Sequence, residues 1–358
     1  MKQTAQSPLR RRFVAGLLVG AALPASWPLA HAQVAFPFYS GEQALQGLYG
    51  HHMPPRAHAF ETAAQDLLTA TQQHCQAPGQ VDALAAAWRR ALLAWDALST
   101  PALGPVIERR SQRLIDFWPT RETLLDKALR QAPQSLADMA RVGTPAKGFG
   151  AVDHLLRSAP TPAHCPYLVL VAQGIAEEAS ALRAAFDVLA VRDWTQDETQ
   201  ARAAFGEWIN QWLGGLERLR WMHIEQPLQK ARTAGDGRKP EFARQLMADN
   251  LAEWRGQWAA LRAQAGITPA MRDQPPRAGD GLIPIEALLL GKGHIALAQR
   301  WERALAAADT AFAQLPTQAD DPSLMALSKT LKGITVLYQG EVAAALDVPL
   351  GFSDADGD

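Results

Sequence analysis

The amino-acid sequence predicts an all-α fold, arranged as two related, pseudo-symmetric helical bundles. Three observations carry that expectation. Beyond residue 32 the chain is rich in Ala, Leu, Arg, Gln and Glu, the strong helix formers. Long β-branched runs are nearly absent. Apolar residues also return at helical spacing. In Val81–Leu98 (VDALAAAWRRALLAWDAL), Leu84, Trp88, Leu92 and Trp95 follow at intervals of 4, 4 and 3 and trace one stripe.

Residues 1–32 have the three parts of a secretory signal. Lys2, Arg10, Arg11 and Arg12 form a basic start with no acid, Val14–Leu23 is apolar, and Ala30-His31-Ala32 is a small-x-small cleavage site. The apolar part is half of the roughly 20 residues a membrane-spanning helix needs, so it reads as a leader and not as an integral membrane anchor. The mature chain is therefore expected in the periplasm, with cleavage near Ala32. Arg10-Arg11-Arg12-Phe13-Val14 keeps both the Sec and the twin-arginine routes open, and the absence of a Cys after the cleavage site argues against a lipid anchor. Helices are then expected over Ala57–Cys75, Val81–Leu98, Tyr167–Leu189, Thr195–Lys230, Glu241–Ala265 and His294–Leu315. Pro and Gly clusters separate them, among them Pro54-Pro55, Pro160–Pro166, Gly235–Pro240 and Ala265–Gly281.

A loose internal repeat supports two halves within residues 33–350. Gly148-Phe149-Gly150-Ala151-Val152-Asp153 and Gly281-Leu282-Ile283-Pro284-Ile285-Glu286 each place an acid five residues after a glycine, and a pair of leucines follows each. The divide between the halves is expected near residues 190–240.

The net charge is −1, and it falls to about −5 once the four basic residues of the leader are removed. That balance argues against nucleic acid as a partner. Cys75 and Cys165 are the only cysteines. In an oxidising compartment the pair reads as a disulfide, and two buried free thiols are the alternative. No HExxH, GxSxG or CxxC motif occurs, against the commonest hydrolase and redox classes.

Several strings then fall in a telling order. His52-Met53-Pro54-Pro55-Arg56 comes first, followed by Trp88 and Trp95, Gly104-Pro105, Ile115-Asp116-Phe117-Trp118-Pro119, Lys147-Gly148-Phe149-Gly150-Ala151-Val152-Asp153-His154-Leu155-Leu156, and Asn250-Leu251. In order and spacing this resembles the imelysin (peptidase M75-like) family of exported bacterial proteins, over roughly residues 45–345. The resemblance implies a two-bundle helical fold and a role linked to iron uptake. It also implies a signature, Gly-x-His-x-x-Glu, proposed to bind metal. On this chain the signature falls on Gly148, Gly150 and Asp153, so the imidazole is missing and a metal site of that type is in doubt.

The candidate site follows from these residues. His52, Arg56, Asp153 and Glu286 are expected to border a pocket between the bundles, where the two acids could serve as hard oxygen ligands for a divalent metal or iron. The bland reading has each acid cap or pair with a neighbouring helix. His58 and Glu61, three apart on one helical face, are weaker candidates as a ligand pair or as plain surface residues. Phe117-Trp118-Pro119 is expected to kink a helix and fill the core. The preferred function is a non-catalytic binding protein in iron acquisition. A metallopeptidase and an interaction scaffold for an iron-transport or other envelope component are the rivals.

Overall fold

The structure, a computed structural model, describes residues 34–77, 81–158 and 161–351. The leader expected at residues 1–32 lies outside them. Among the described residues every regular element is helical, and no helix is long and apolar enough to cross a membrane.

The first helix, α1 (Gly41–Gly47), opens on a capping box: Gln43 N–H donates to the Ser40 hydroxyl at 3.3 Å, and Ser40 N–H donates to the Gln43 side chain at 3.0 Å. Instead of ending, α1 runs through a π-helical turn (Leu48–His52) into α2 (Met53–Gln76). That wider turn lies just ahead of Pro54 and Pro55, whose rings would press on the carbonyls four residues back in a regular helix. The same device recurs at Arg218–Glu225, which precedes Pro227. The expected helices form as α3 (Val81–Ser99), α5 (Cys165–Ala190), α6 (Glu198–Glu217), α7 (Met247–Ala265) and α9 (Ile295–Gln314); α7 starts later than the expected Glu241, and the helix expected over Thr195–Lys230 is α6, the Arg218–Glu225 turn and a further helix, Gln226–Ala234. The repeat segments give the shorter α4 (Gly148–Arg157) and α8 (Ile285–Gly291), and α10 (Asp321–Leu337) packs on α9.

Two groups of helices result. In one, α2 lies along both α3 and α5, and α4 packs on α3 and α5; in the other, α6, the 218–225 turn, α9 and α10 pack together. Two elements cross between them. Helix α1 belongs in sequence to the first group but lies on α6, and α7 packs on α3 while also reaching α6 and α9. Sequence position near 190–240 is therefore not a clean cut in space, because an amphipathic helix buries its face wherever complementary surface lies.

Fully buried tryptophans fill both groups: Trp88, Trp95, Trp208, Trp212, Trp254 and Trp301. All but Trp254 have the indole N–H matched to an acceptor, as with Trp88 to Phe149 O (3.1 Å), Trp212 to Leu261 O (3.0 Å) and Trp301 to Ala265 O (2.9 Å). Cys75, at the end of α2, is bonded to Cys165, at the start of α5, with 5.6 Å between their Cα atoms. Phe117-Trp118-Pro119 differs from expectation. It lies in a non-helical stretch, and Trp118 is partly exposed, with the Lys230 ammonium 5.8 Å from its ring centroid. A proline preceded by a bulky residue ends helical geometry more readily than it bends it.

Candidate functional site

The four residues expected to share a pocket do not share one. Asp153 accepts a hydrogen bond from the backbone N–H of Gln245 (2.9 Å), just ahead of α7, and Arg157 Nε lies 3.4 Å from its other oxygen. Glu286 accepts from the N–H of Ile267 (2.9 Å), just beyond the far end of α7. Helix α7 has 19 residues, so these two points are about 28 Å apart at 1.5 Å per residue. The two repeat acids thus hold opposite ends of one helix, which corrects the expectation of a common cleft. Burial raises the pKa of both.

His52 closes the first π-helical turn, is buried, and sits with Nε2 3.4 Å from Gln264 Nε2 on α7. Burial, and then the positive charge of Arg56, push its pKa down to about 3, so the ring is neutral. Arg56 donates to the His52 carbonyl at 2.7 Å, while its buried Nε has no partner. The pair is local and lies toward the Glu286 end of α7. His58 and Glu61 are surface residues bound to α5: His58 Nε2 is 3.1 Å from Asp187, and Glu61 is 2.8 Å from Arg183 Nε. Their shared face meets α5.

The signature positions do not fit a metal ion either. Gly148 has φ +69°, and a side chain there would run into the Ile115 carbonyl. At Gly150 a Cβ would overlap the Thr120 hydroxyl, so the 116–121 stretch stands where an imidazole would go. Asp153 is already engaged by an amide and an arginine. Among the described residues no group of three His, Cys, Asp or Glu side chains could hold a metal.

What replaces it is a buried ionic network beneath α3 and α7. Arg244, 4% exposed, donates to Glu253 through Nε (2.9 Å) and Nη2 (2.8 Å), and Nη2 also reaches Asp116 (2.8 Å). Burial opposes its charge, but Asp116 and Glu253 more than offset that and hold its pKa up. Asp249 is clamped between Arg89 (2.5 Å) and Arg157 (2.8 Å). Asp96 has no cation of its own. It accepts from Gln257 Nε2 (3.0 Å), its other oxygen is unpartnered, and burial, followed by the charges of Glu253 and Asp116, raises its pKa well above the carboxylate range.

Gln257 is the hinge between this network and open space. Its Nε2 serves Asp96 and its Oε1 lies 3.1 Å from His223 Nδ1, while its outer side floors a cavity of about 510 Å³. The cavity lies between the two helix groups. From the first come Gln112 and Arg113 on the helix Ser111–Ile115 and Arg110 just ahead of it; from the second come Gln211 on α6 and Arg218 on the 218–225 turn. Val106, Ile107 and Met222 give it an apolar wall, and among the described residues no His, Cys, Asp or Glu lines it. Two adjacent arginines are split here. Arg109 turns away to a bidentate pair with Glu178 (2.9 and 2.7 Å), while Arg110, in the left-handed region at φ 56°, lies at the cavity.

The family model described as Imelysin (Peptidase_M75) matches residues 54–339. The chain belongs to the imelysin family. Iron-regulated protein A of Synechococcus elongatus is 25% identical over 246 residues, which is 62% of this chain and 64% of that relative. The chain thus spans under two thirds of that relative's length. The solved imelysin-like protein of Psychrobacter arcticum superposes with a TM-score of 0.65 at 18% identity, covering 89% of this chain and all of that one. A putative iron-regulated protein A precursor from Parabacteroides distasonis gives 0.65 at 12% identity, covering 85% and 94%. The two solved structures share the fold.

Sequence reasoning missed the cavity and most of the network. The available signal was a lone acid on an otherwise apolar stripe, as with Asp96 in ALLAWDAL and Glu253 in NLAEW. Such residues are buried only when partnered. The Glu108–Arg113 run (ERRSQR) after Gly104-Pro105 was the signal for the cavity rim.

Proposed function

We propose that this imelysin-family chain is an exported, non-catalytic binding protein serving iron acquisition, with its ligand seated in the cavity between the two helix groups. The cavity carries the reading: it gathers hydrogen-bond donors from both groups, falls within the ~300–1,000 Å³ of small-molecule sites, and among the described residues offers no His, Cys or carboxylate to act as base or nucleophile. The names of the two iron-regulated relatives support the link to iron. The leader pattern at residues 1–32 and the Cys75–Cys165 bond support a periplasmic setting. The two groups read as pseudo-symmetric halves, since Asp153 and Glu286 each hold a backbone N–H at one end of α7.

The test is growth of a strain lacking the gene under iron restriction. Wild type should restore growth and appear in the periplasmic fraction, whereas Gly214→Leu, which fills the cavity, should not restore it. Equal rescue by both would overturn the reading. Chelator-sensitive cleavage of a protein substrate would instead favour the metallopeptidase alternative.

A further inference from the structure

We infer that the cavity takes a small organic polycarboxylate, either as the free anion or as its ferric chelate; this rests on the proposed binding role. Two guanidinium groups, Arg110 and Arg113, reach it from one short stretch of chain; Arg218, which is engaged in an interaction of its own, lines it from the 218–225 turn, and among the described residues no acidic side chain lines it. A chain that is acidic after loss of its leader has therefore concentrated positive charge in one concavity between its helix groups. Guanidinium forks match carboxylates two bonds at a time. Two of them side by side, next to a third arginine, suit a ligand with more than one carboxylate better than a single charge.

The local backbone is arranged for this. Arg110 is one of three described non-glycine residues with positive φ, a conformation that costs of order 1 kcal/mol and that surrounding structure must enforce. The enforcement is visible on both sides: Arg109 is tied to Glu178, and the next residue, Ser111, donates to the same carboxylate at 2.6 Å. The strain places successive arginines on different surfaces.

The rest of the lining selects an organic anion over inorganic phosphate. Val106, Ile107 and Met222 offer a surface to a carbon skeleton, and Gln112 and Gln211 offer amides to hydroxyl or carbonyl groups. Asp96 and Glu253 are bonded to Gln257, and Glu253 is committed to Arg244. A bare cation would meet guanidinium groups here. Iron would therefore be handled as a complex whose outer surface is carboxylate.

The experiment is isothermal titration of the mature protein with citrate, ferric citrate, inorganic phosphate and the neutral trimethyl ester of citrate. Citrate or its ferric chelate should bind one to one, weaken with added salt, and exceed phosphate and the ester. Arg110→Gly keeps the left-handed backbone and removes the charge, and Arg113→Gln removes the second; each should weaken binding about ten- to hundredfold. A Cβ at Gly214 meets only Gln211 Oε1 at 3.5 Å, so Gly214→Leu can fold and should abolish binding. Tighter binding of the chelate than of citrate would identify the iron-loaded form as the ligand, and the reverse the free anion. Failure of both to bind, or binding unchanged in the Arg110→Gly/Arg113→Gln double variant, overturns the anion assignment. If the ester or Fe³⁺ alone then binds and Gly214→Leu blocks it, the binding role stands and only the ligand class falls. If Gly214→Leu retains whatever wild type binds, the cavity is not the site and both fall.

Discussion

Arg244→Met would test whether the buried network is held by its central cation. The guanidinium makes two bonds to Glu253 and one to Asp116, all at 2.8–2.9 Å, and Glu253 is 0% exposed. Methionine approximates the volume and removes the charge. Glu253 then keeps only Gln257, at 3.3 Å, and Asp116 keeps the Trp95 indole, at 3.1 Å. Breaking a buried pair on one side costs about 3–5 kcal/mol, mostly the stranded charge. With an unfolding entropy of about 2.1 cal/mol/K per residue over roughly 320 residues, that is a fall in Tm of about 4–7 °C. The pH dependence fixes the cause. Burial already raises the Glu253 pKa with Arg244 in place, and without its cation the carboxyl titrates higher still, so the added penalty is absent at low pH and grows as pH rises through the wild-type folded value. Denaturant unfolding of both proteins at pH 5 and 7 should show the deficit shrinking at pH 5, and Glu253→Gln should recover part of it. A cost under about 1 kcal/mol, or one equal at both pH values, would refute the reasoning.

Three further outcomes follow from the same structure. His52, held near pKa 3 by burial and by Arg56, stays neutral while the unfolded ring protonates below 6.5; stability is full above pH 6.5 and falls by about 1.4 kcal/mol per pH unit below it. His52→Gln should flatten that slope in unfolding measured from pH 7 to 4.5, and an unchanged slope would contradict it. The Cys75–Cys165 bond closes a 90-residue separation, worth about 4–5 kcal/mol in the chain-entropy model, so Cys75→Ser/Cys165→Ser should lower Tm by about 7 °C, and reductant should do the same to wild type alone. Restoring the family histidine with Gly150→His should destabilise by about 1–3 kcal/mol through overlap with Thr120, without creating zinc affinity in a competition titration. A tight zinc site in that variant would show that the 116–121 stretch yields and that Asp153 can be released.

The helices were legible because each is long and regularly striped; Leu84, Trp88, Leu92 and Trp95 are all buried on α3. The missing imidazole was also legible, as a glycine in the signature. The pairing of Asp153 with Glu286 was not, because equivalence in a repeat fixes local geometry and says nothing about the distance between copies. That distance is set by α7, which the pattern gave as an ordinary helix. The cavity escaped for a related reason. Its arginines stand on a linker, a five-residue helix and a π-helical turn, none of which has a periodicity to read.

The uninterrupted run from Gly41 through the π-helical turn to Gln76 has a mechanical consequence. One end is seated on α6 and the other is sandwiched by α3 and α5, while α7 ties the same two groups a second time. Two rigid rods spanning one gap leave it no free hinge. A molecule bound on Gln257 would therefore enter past the rim, where Arg110 and Arg113 stand, and not by the opening of one half away from the other. Changes at that rim should then alter how fast such a molecule comes and goes more than how the chain is folded.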